Sequence, residues 1–146
     1  MTRINGEIEI AAPVERVFDV VADERNEPQY NPRIVHAEKT SRGPVSRGAR
    51  FIAQPKGAGP KRVMTIEIVD YERPARLAMS IRSSYMNVDG TLTFAQAGNG
   101  TRMRWAWDTR LRGMLRVLAP LMRLVGPRWE YRNWAGLKEF MESGAR

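Results

Sequence analysis

The sequence has no cysteine, one histidine and no long apolar run among its 146 residues. The absence of cysteine excludes disulfides, thiolate metal ligands and a cysteine nucleophile. His36 alone does not make a usual zinc site, so we expect no metal and no other cofactor. No stretch reaches the roughly 18 uncharged apolar residues that a membrane span needs. Because the N-terminus also lacks the apolar segment of a signal peptide, we expect a cytoplasmic protein.

The length is typical of one domain, and we expect residues 1–146 to form a single ligand-binding domain. The net charge is +8, and most of the excess lies in the last third of the chain. Residues 101–146 contain 10 Lys and Arg but only 4 Asp and Glu. Such a surplus can attract nucleic acid, anionic lipid or an acidic partner, or it can be a solvated helix face.

The first third of the chain contains one strand pattern and one helix pattern. Residues 3–11 alternate between apolar and polar side chains, which predicts a half-buried strand. After Pro13, apolar residues at helical spacing predict a helix that ends near Ala22. A short helical turn and a loop through Tyr30 are predicted to follow.

Six further strands are predicted in the middle of the chain, joined by short turns that contain glycine or proline. They are expected at residues 34–41, 49–55, 62–71, 77–81, 88–94 and 103–109. Strands that are linked by hairpins need no crossover connection, so the sheet should be antiparallel.

After residue 110 the apolar spacing changes to three and four residues, which predicts a helix from Leu111 to about Met141. Pro120 and Gly126–Pro127 are expected to kink or break this helix. The predicted fold class is therefore α+β. A curved antiparallel sheet of about seven strands wraps around a long C-terminal helix, and two short helices follow the first strand.

Local motifs accompany this order of elements. They are IEIAAPVERVFDVVAD at 8–23, the Tyr30–Asn31–Pro32 turn, GARF at 48–51, EIVDYERPARLAM at 67–79, the Gly100–Thr101–Arg102 turn and WAGLKEFME at 134–142. Over nearly its whole length the chain resembles the START-like (SRPBCC) superfamily with its helix-grip fold, and within it the bacterial polyketide cyclase/dehydrase and lipid-transport group. The resemblance implies a cavity between sheet and helix. It does not select a function, because this superfamily includes carriers, receptors and enzymes.

Inward-facing methionine and aromatic side chains would line this cavity, since they suit an apolar guest of irregular shape. The alternative is that they simply fill the core. The candidate ligand-binding residues are Phe18, Tyr30, Met64, Met79, Met86, Phe94, Trp105, Trp107, Met114, Leu118, Leu121, Trp129 and Asn133. Polar groups that could orient the guest are Tyr30, Tyr85, Arg62 and Asn133.

Our first hypothesis is binding or transport of an apolar or amphipathic small molecule, such as a lipid, an isoprenoid or a polyketide-like compound. The second is a polyketide cyclase or dehydratase that uses the same cavity. Catalysis would need a titratable side chain that points inward, for which His36 and Tyr30 are the candidates. Val35 and Ala37 are the apolar pair on that strand, so His36 should point outward, and we favour a protein without catalytic activity.

The third hypothesis is a peripheral membrane or protein-interaction module that uses the basic C-terminal helix. Its arginines, which could make weak contact with an anionic membrane, are Arg110, Arg112, Arg116, Arg123 and Arg128. The objection is that the apolar stripe of this helix is needed to cover the sheet. Nucleic-acid binding is not expected, because no recognised module occurs and the aromatic residues are predicted to face inward.

Overall fold

The computed structural model describes residues 1–57 and 63–143 as one antiparallel sheet with helices against one of its faces. In chain order the elements are strand β1 (Thr2–Ile10), helix α1 (Val14–Ala22), a 3-10 helix (Glu24–Gln29), strands β2 (Ile34–Lys39), β3 (Arg50–Pro55), β4 (Met64–Glu72), β5 (Arg76–Arg82), β6 (Met86–Ala97) and β7 (Gly100–Leu111), a second 3-10 helix (Gly113–Leu118), and helix α2 (Ala119–Glu142).

The seven strands follow the order β1-β7-β6-β5-β4-β3-β2, and every neighbouring pair is antiparallel. Sequential hairpins generate this order, except that β1 pairs with the last strand, β7. In that pair Ile8 lies opposite Met103 and Ile4 lies opposite Trp107. The predicted helix-grip α+β fold with an antiparallel seven-stranded sheet is confirmed.

The core lies between the inner face of the sheet and the helices. Phe51, Leu92 and Met103 are fully buried on that face, as the alternation along their strands requires. Helix α1, which ends at Ala22 as predicted, contributes Phe18, whose ring meets that of Phe94 edge-on at 5.1 Å between centroids.

Helix α2 lies across β1 and is fastened at its C-terminal end. The Lys138 Nζ donates to the Glu9 carbonyl oxygen at 2.8 Å, and the Ala11 backbone N–H donates to Glu142 Oε2 at 2.8 Å. Gly136 allows close approach to the segment before β2, because a Cβ atom there would lie 2.4 Å from the Tyr30 carbonyl oxygen.

The prediction that one helix begins at Leu111 is wrong. Pairing of Leu111 with Met86 keeps this residue in the sheet, and a 3-10 helix intervenes before α2. Pro120 lies in the first turn of α2, where its missing N–H costs no hydrogen bond, so it marks the start of the helix. Pro127 lies inside α2 without ending it.

In the part of the chain that the structure describes, no helix is both long and apolar enough to cross a membrane. The candidate Arg62 lies at 58–62, outside the described residues.

We predict that Gly136→Ala lowers the free energy of unfolding by about 1–3 kcal/mol, because the added methyl group would overlap a backbone carbonyl that cannot rotate away. Gly126→Ala in the same helix is the matched control. There the new methyl group meets the tip of the Ile4 side chain, and the gain in helix propensity is roughly 0.5–1 kcal/mol. Urea denaturation of both variants measures the difference; equal effects would contradict the close approach of α2 to Tyr30.

Candidate ligand-binding site beneath the C-terminal helix

Four buried aromatic side chains meet beneath α2. Trp105 and Trp107 come from β7, Trp134 from α2, and Tyr30 from the turn after the first 3-10 helix. The ring centroids of Trp105 and Trp134 are 6.0 Å apart, and those of Tyr30 and Trp134 are 6.5 Å apart. These rings form the apolar walls of the candidate site.

Glu130 lies on the inward side of α2 among these rings. Its Oε1 accepts hydrogen bonds from Trp107 Nε1 at 2.8 Å and from Trp134 Nε1 at 2.9 Å. Burial raises the pKa of Glu130, and the two indole donors and the charge of Arg33 oppose this effect. The carboxyl group therefore joins the sheet to the helix and holds a proton more readily than an exposed glutamate.

A second acidic group lies on the other side of Tyr30. Burial raises the pKa of Glu24 well above its ordinary value, and the neighbouring Glu27 raises it further. Burial likewise raises the pKa of Tyr30, with smaller contributions from Glu27, Glu24 and Glu130. Glu27 itself accepts a hydrogen bond from Asn31 Nδ2 at 3.0 Å. The site thus contains carboxyl groups that burial tends to keep neutral.

Three buried polar atoms in this region have no hydrogen-bond partner among the described residues. They are the indole nitrogen of Trp105, the side-chain oxygen Oδ1 of Asn133 and the Oε2 atom of Glu24. Asn133 immediately precedes Trp134, whose ring packs against Trp105. The site therefore has an unpartnered N–H donor on the sheet and an unpartnered amide acceptor on the helix.

Most of the predicted lining residues from strands and front helices lie inside. Phe18, Tyr30, Met79, Phe94, Trp105 and Trp107 are buried, and Met64, Met86 and Asn133 are partly buried. Contact of these residues with a ligand stays a prediction.

Met114, Leu118, Leu121 and Trp129 are exposed, which corrects the expectation that they face inward. Met114 and Leu118 belong to the second 3-10 helix, in which no residue is buried. Along α2 each residue turns by about 100°, so Leu121 lies about 140° from the inward direction of Gly126.

Of the other polar candidates, His36 does not join the site, and a role of Tyr85 stays a prediction. His36 points outward as expected, and its Nε2 lies 3.8 Å from Glu38 Oε2. Tyr85 is partly buried, and its backbone carbonyl accepts from the Arg112 N–H at 2.9 Å. Within residues 1–57 and 63–143, no three His, Cys, Asp or Glu side chains are arranged to hold a metal ion.

A depression of about 400 Å³ lies on the outer face of the sheet. Its lining includes the exposed side chains of Asn5, Glu7, Thr93 and Arg104. It is therefore not the space between sheet and α2, and the predicted cavity stays a proposal.

Sequence reasoning missed Glu24, Glu27, Glu130 and Trp134 as site residues. The spacing of Gly126, Glu130 and Trp134 is a helical stripe, and a single carboxylate on such a stripe was a detectable sign of a buried polar group. Glu24 and Glu27 gave no such sign, because they lie in a polar segment that is typical of a surface loop.

A family model described as "Polyketide cyclase / dehydrase and lipid transport" matches residues 1–142. A START superfamily protein from Mycobacterium smegmatis is 15% identical with a TM-score of 0.83, over 98% of this chain and 99% of that chain. A protein from Thermus thermophilus is 21% identical with a TM-score of 0.77, over 99% of both chains.

The chain is also similar to the di-domain ARO/CYC BexL from the BE-7585A biosynthetic pathway, with 21% identity and a TM-score of 0.73. The match covers 97% of this chain and 47% of that chain. At such identities these structures show the fold alone. No curated protein sequence matches the chain.

We predict that Glu24→Gln changes how stability depends on pH. Folding raises the pKa of Glu24, so the folded state favours the neutral carboxyl group. The contribution of this group to the free energy of unfolding is therefore fully present below the ordinary pKa of 4.5 and is lost as the pH rises through the folded-state pKa. The wild-type free energy of unfolding should therefore fall more steeply above 4.5 than that of the variant. Urea denaturation from about pH 4 to about pH 8 measures this difference.

The control for this experiment is Glu139→Gln, which replaces an exposed glutamate of α2. It should keep the wild-type pH dependence. Parallel curves for wild type and Glu24→Gln would contradict the burial of a protonated Glu24.

Proposed function

The chain belongs to the polyketide cyclase/dehydrase and lipid transport family, and we propose that it binds an amphipathic small molecule between the sheet and α2. Lipids, isoprenoids and polyketide-like compounds have the required chemistry. The observation that carries this proposal is the pair of unpartnered buried atoms, Trp105 Nε1 and Asn133 Oδ1.

A buried polar atom without a partner costs about 1–3 kcal/mol, so a site that contains two of them gains when a polar group enters. A hydroxyl group has the chemistry to pair with either atom, since it can accept from the Trp105 N–H or donate to the Asn133 oxygen. The rings of Trp105, Trp134 and Tyr30 supply flat apolar walls for the rest of the molecule.

One end of the sheet offers an apolar approach to this region. Met64 begins β4, Ile81 lies near the end of β5, and Met86 begins β6, so the antiparallel pairing brings all three to the same end. Each is partly buried against the core. Methionine side chains adapt to guests of irregular shape, which favours this end as the place for the apolar body of the ligand.

A second candidate function is a cyclase or dehydratase reaction on the bound molecule. Burial raises the pKa values of Glu24 and Glu130, and both carboxyl groups lie near enough to Tyr30 to raise its pKa. Carboxyl groups with raised pKa values donate and accept protons nearer neutral pH than exposed ones. This cluster, rather than the exposed His36, would carry such a reaction. This second hypothesis predicts that the Tyr30→Phe variant keeps the ligand affinity of the wild type and loses catalytic turnover.

The binding proposal predicts that the wild-type protein prefers 2-naphthol to naphthalene, which have the same apolar body and differ by one hydroxyl. A net hydrogen bond of about 0.5–1.5 kcal/mol corresponds to a preference of roughly 2- to 10-fold. Asn133→Ala should abolish most of this preference, because it removes the acceptor. Isothermal titration calorimetry measures all four dissociation constants.

Asn87→Ala is the matched control, since Asn87 Oδ1 is also buried and unpartnered but lies on the outward phase of β6. It should keep the preference for 2-naphthol. A preference that survives Asn133→Ala and Trp105→Phe alike would overturn the proposed polar contact.

A further inference from the structure

One surface of the molecule concentrates the exposed large apolar side chains. Eight of the eleven in the described part of the chain fall between residues 114 and 131: Met114, Leu115, Val117, Leu118, Leu121, Leu124, Trp129 and Tyr131. Met114 is 90% exposed, Val117 79% and Leu124 74%. Soluble monomers rarely expose so many apolar side chains on one contiguous segment without a binding role.

Except for Tyr131, whose ring centroid is 6.4 Å from that of Trp105, these side chains are separate from those that α2 packs on the sheet. The inward stripe of α2 contains Met122, Glu130 and Trp134, whereas Leu121 and Leu124 lie on the opposite side of the helix. Covering the sheet therefore does not use the outer apolar side chains, and they remain available to a partner. The objection drawn from the sequence, that one stripe would have to serve both purposes, does not apply.

The same segment carries positive charge without acidic residues. Between Asp108 and Glu130 the sequence has five arginines and no Asp or Glu. They are Arg110, Arg112, Arg116, Arg123 and Arg128, and all are exposed. Arg110 lies on the outward phase of β7, near Asp108 and the Arg82–Asp89 pair of the outer sheet surface. We call the other four arginines together with the eight apolar side chains the apolar–arginine face.

The arginines of this face differ from those on the outer surface of the sheet. None of these four forms an ion pair with a carboxylate of the described residues; Arg112 and Arg116 instead donate to the backbone carbonyls of Ser83 and Gly113. Sheet arginines are paired, as in Arg3–Asp108, Arg50–Glu67, Arg82–Asp89 and Arg102–Glu9. The positive charge of the apolar–arginine face is therefore not neutralised by ion pairs with carboxylates of the described residues.

We propose that the apolar–arginine face docks on an anionic lipid bilayer. Leucine, methionine and valine side chains would enter the boundary between headgroups and acyl chains, while arginines contact the lipid phosphates and carboxylates. Trp129 and Tyr131 have the amphipathic rings that favour this boundary. A second copy of the chain fits less well, because a two-fold contact would bring the same four arginines together.

The docking does not depend on the occupancy of the site beneath α2, so its test uses the full chain without added ligand. The probe is a phosphatidylcholine vesicle with or without phosphatidylserine, and flotation measures bound protein. The protein should bind vesicles that contain phosphatidylserine, and added salt should weaken this binding. Arg123→Gln combined with Arg128→Gln should lower affinity by about 30-fold, at about 1 kcal/mol for each arginine.

Leu121→Ser combined with Leu124→Ser should weaken binding at every salt concentration, because it removes apolar contact rather than charge. The matched controls are Val35→Ser, which replaces an exposed apolar side chain elsewhere, and Arg104→Gln, which replaces an arginine on the outer sheet face. Both should bind vesicles like the wild type.

Trp129 gives a local readout, since the other three tryptophans are buried. Its emission should shift to shorter wavelength on anionic vesicles, and Trp129→Phe should lose the shift. Equal binding to both vesicle types, no binding, or equal weakening by the control variants would overturn the proposal. So would a lipid-free dimer in analytical ultracentrifugation that Leu121→Ser and Leu124→Ser dissociate, which would assign the face to a second copy.

Discussion

The rotation of α2 about its own axis depends on one carboxyl group, that of Glu130. It accepts from an indole on the sheet and from an indole on its own helix. A hydrogen bond contributes about 0.5–1.5 kcal/mol net, and a buried polar group that loses its partner costs about 1–3 kcal/mol. Only the Trp107 bond crosses from the sheet to the helix, and together with the Lys138 and Glu142 contacts it limits rotation of α2.

Two functional surfaces follow from this rotation. With Glu130 inward, Asn133 also faces the interior and Gly136 meets the backbone of Tyr30. The same rotation turns Leu121 and Leu124 to the outside. The candidate ligand site therefore lies on the inner side of α2, and the part of the apolar–arginine face that α2 contributes lies on its outer side. A bound ligand beneath α2 and a lipid surface above it would contact different side chains.

The sequence predicts the sheet well because alternation is a local property. Strands β1 and β7 have clear inner and outer phases, and hairpin turns leave only antiparallel neighbours. The start of the last helix fails for a different reason. Leu111, Leu115 and Leu118 have helical spacing, yet backbone pairing with β6 keeps Leu111 in the strand.

The site was harder to predict than the fold. Choosing the inward side of α2 by apolar content selects Leu118 and Leu121, whereas the side that packs contains Gly126 and Glu130. Hydrophobicity finds the inward side in the C-terminal half of α2, where Trp134, Leu137 and Met141 are buried as predicted. It fails in the N-terminal half, where the side that packs is marked by Gly126 and Glu130. Glu24 is buried only because the 3-10 helix folds against β2, a contact between segments that local sequence does not specify.

Native mass spectrometry of the protein purified from its own host, followed by organic extraction, tests the central claim most directly. The expected result is a bound molecule at near-stoichiometric occupancy. It should have an apolar body and a hydroxyl group that can form hydrogen bonds with Trp105 Nε1 and Asn133 Oδ1. The mass of the bare chain alone would contradict the claim that the space beneath α2 holds a ligand.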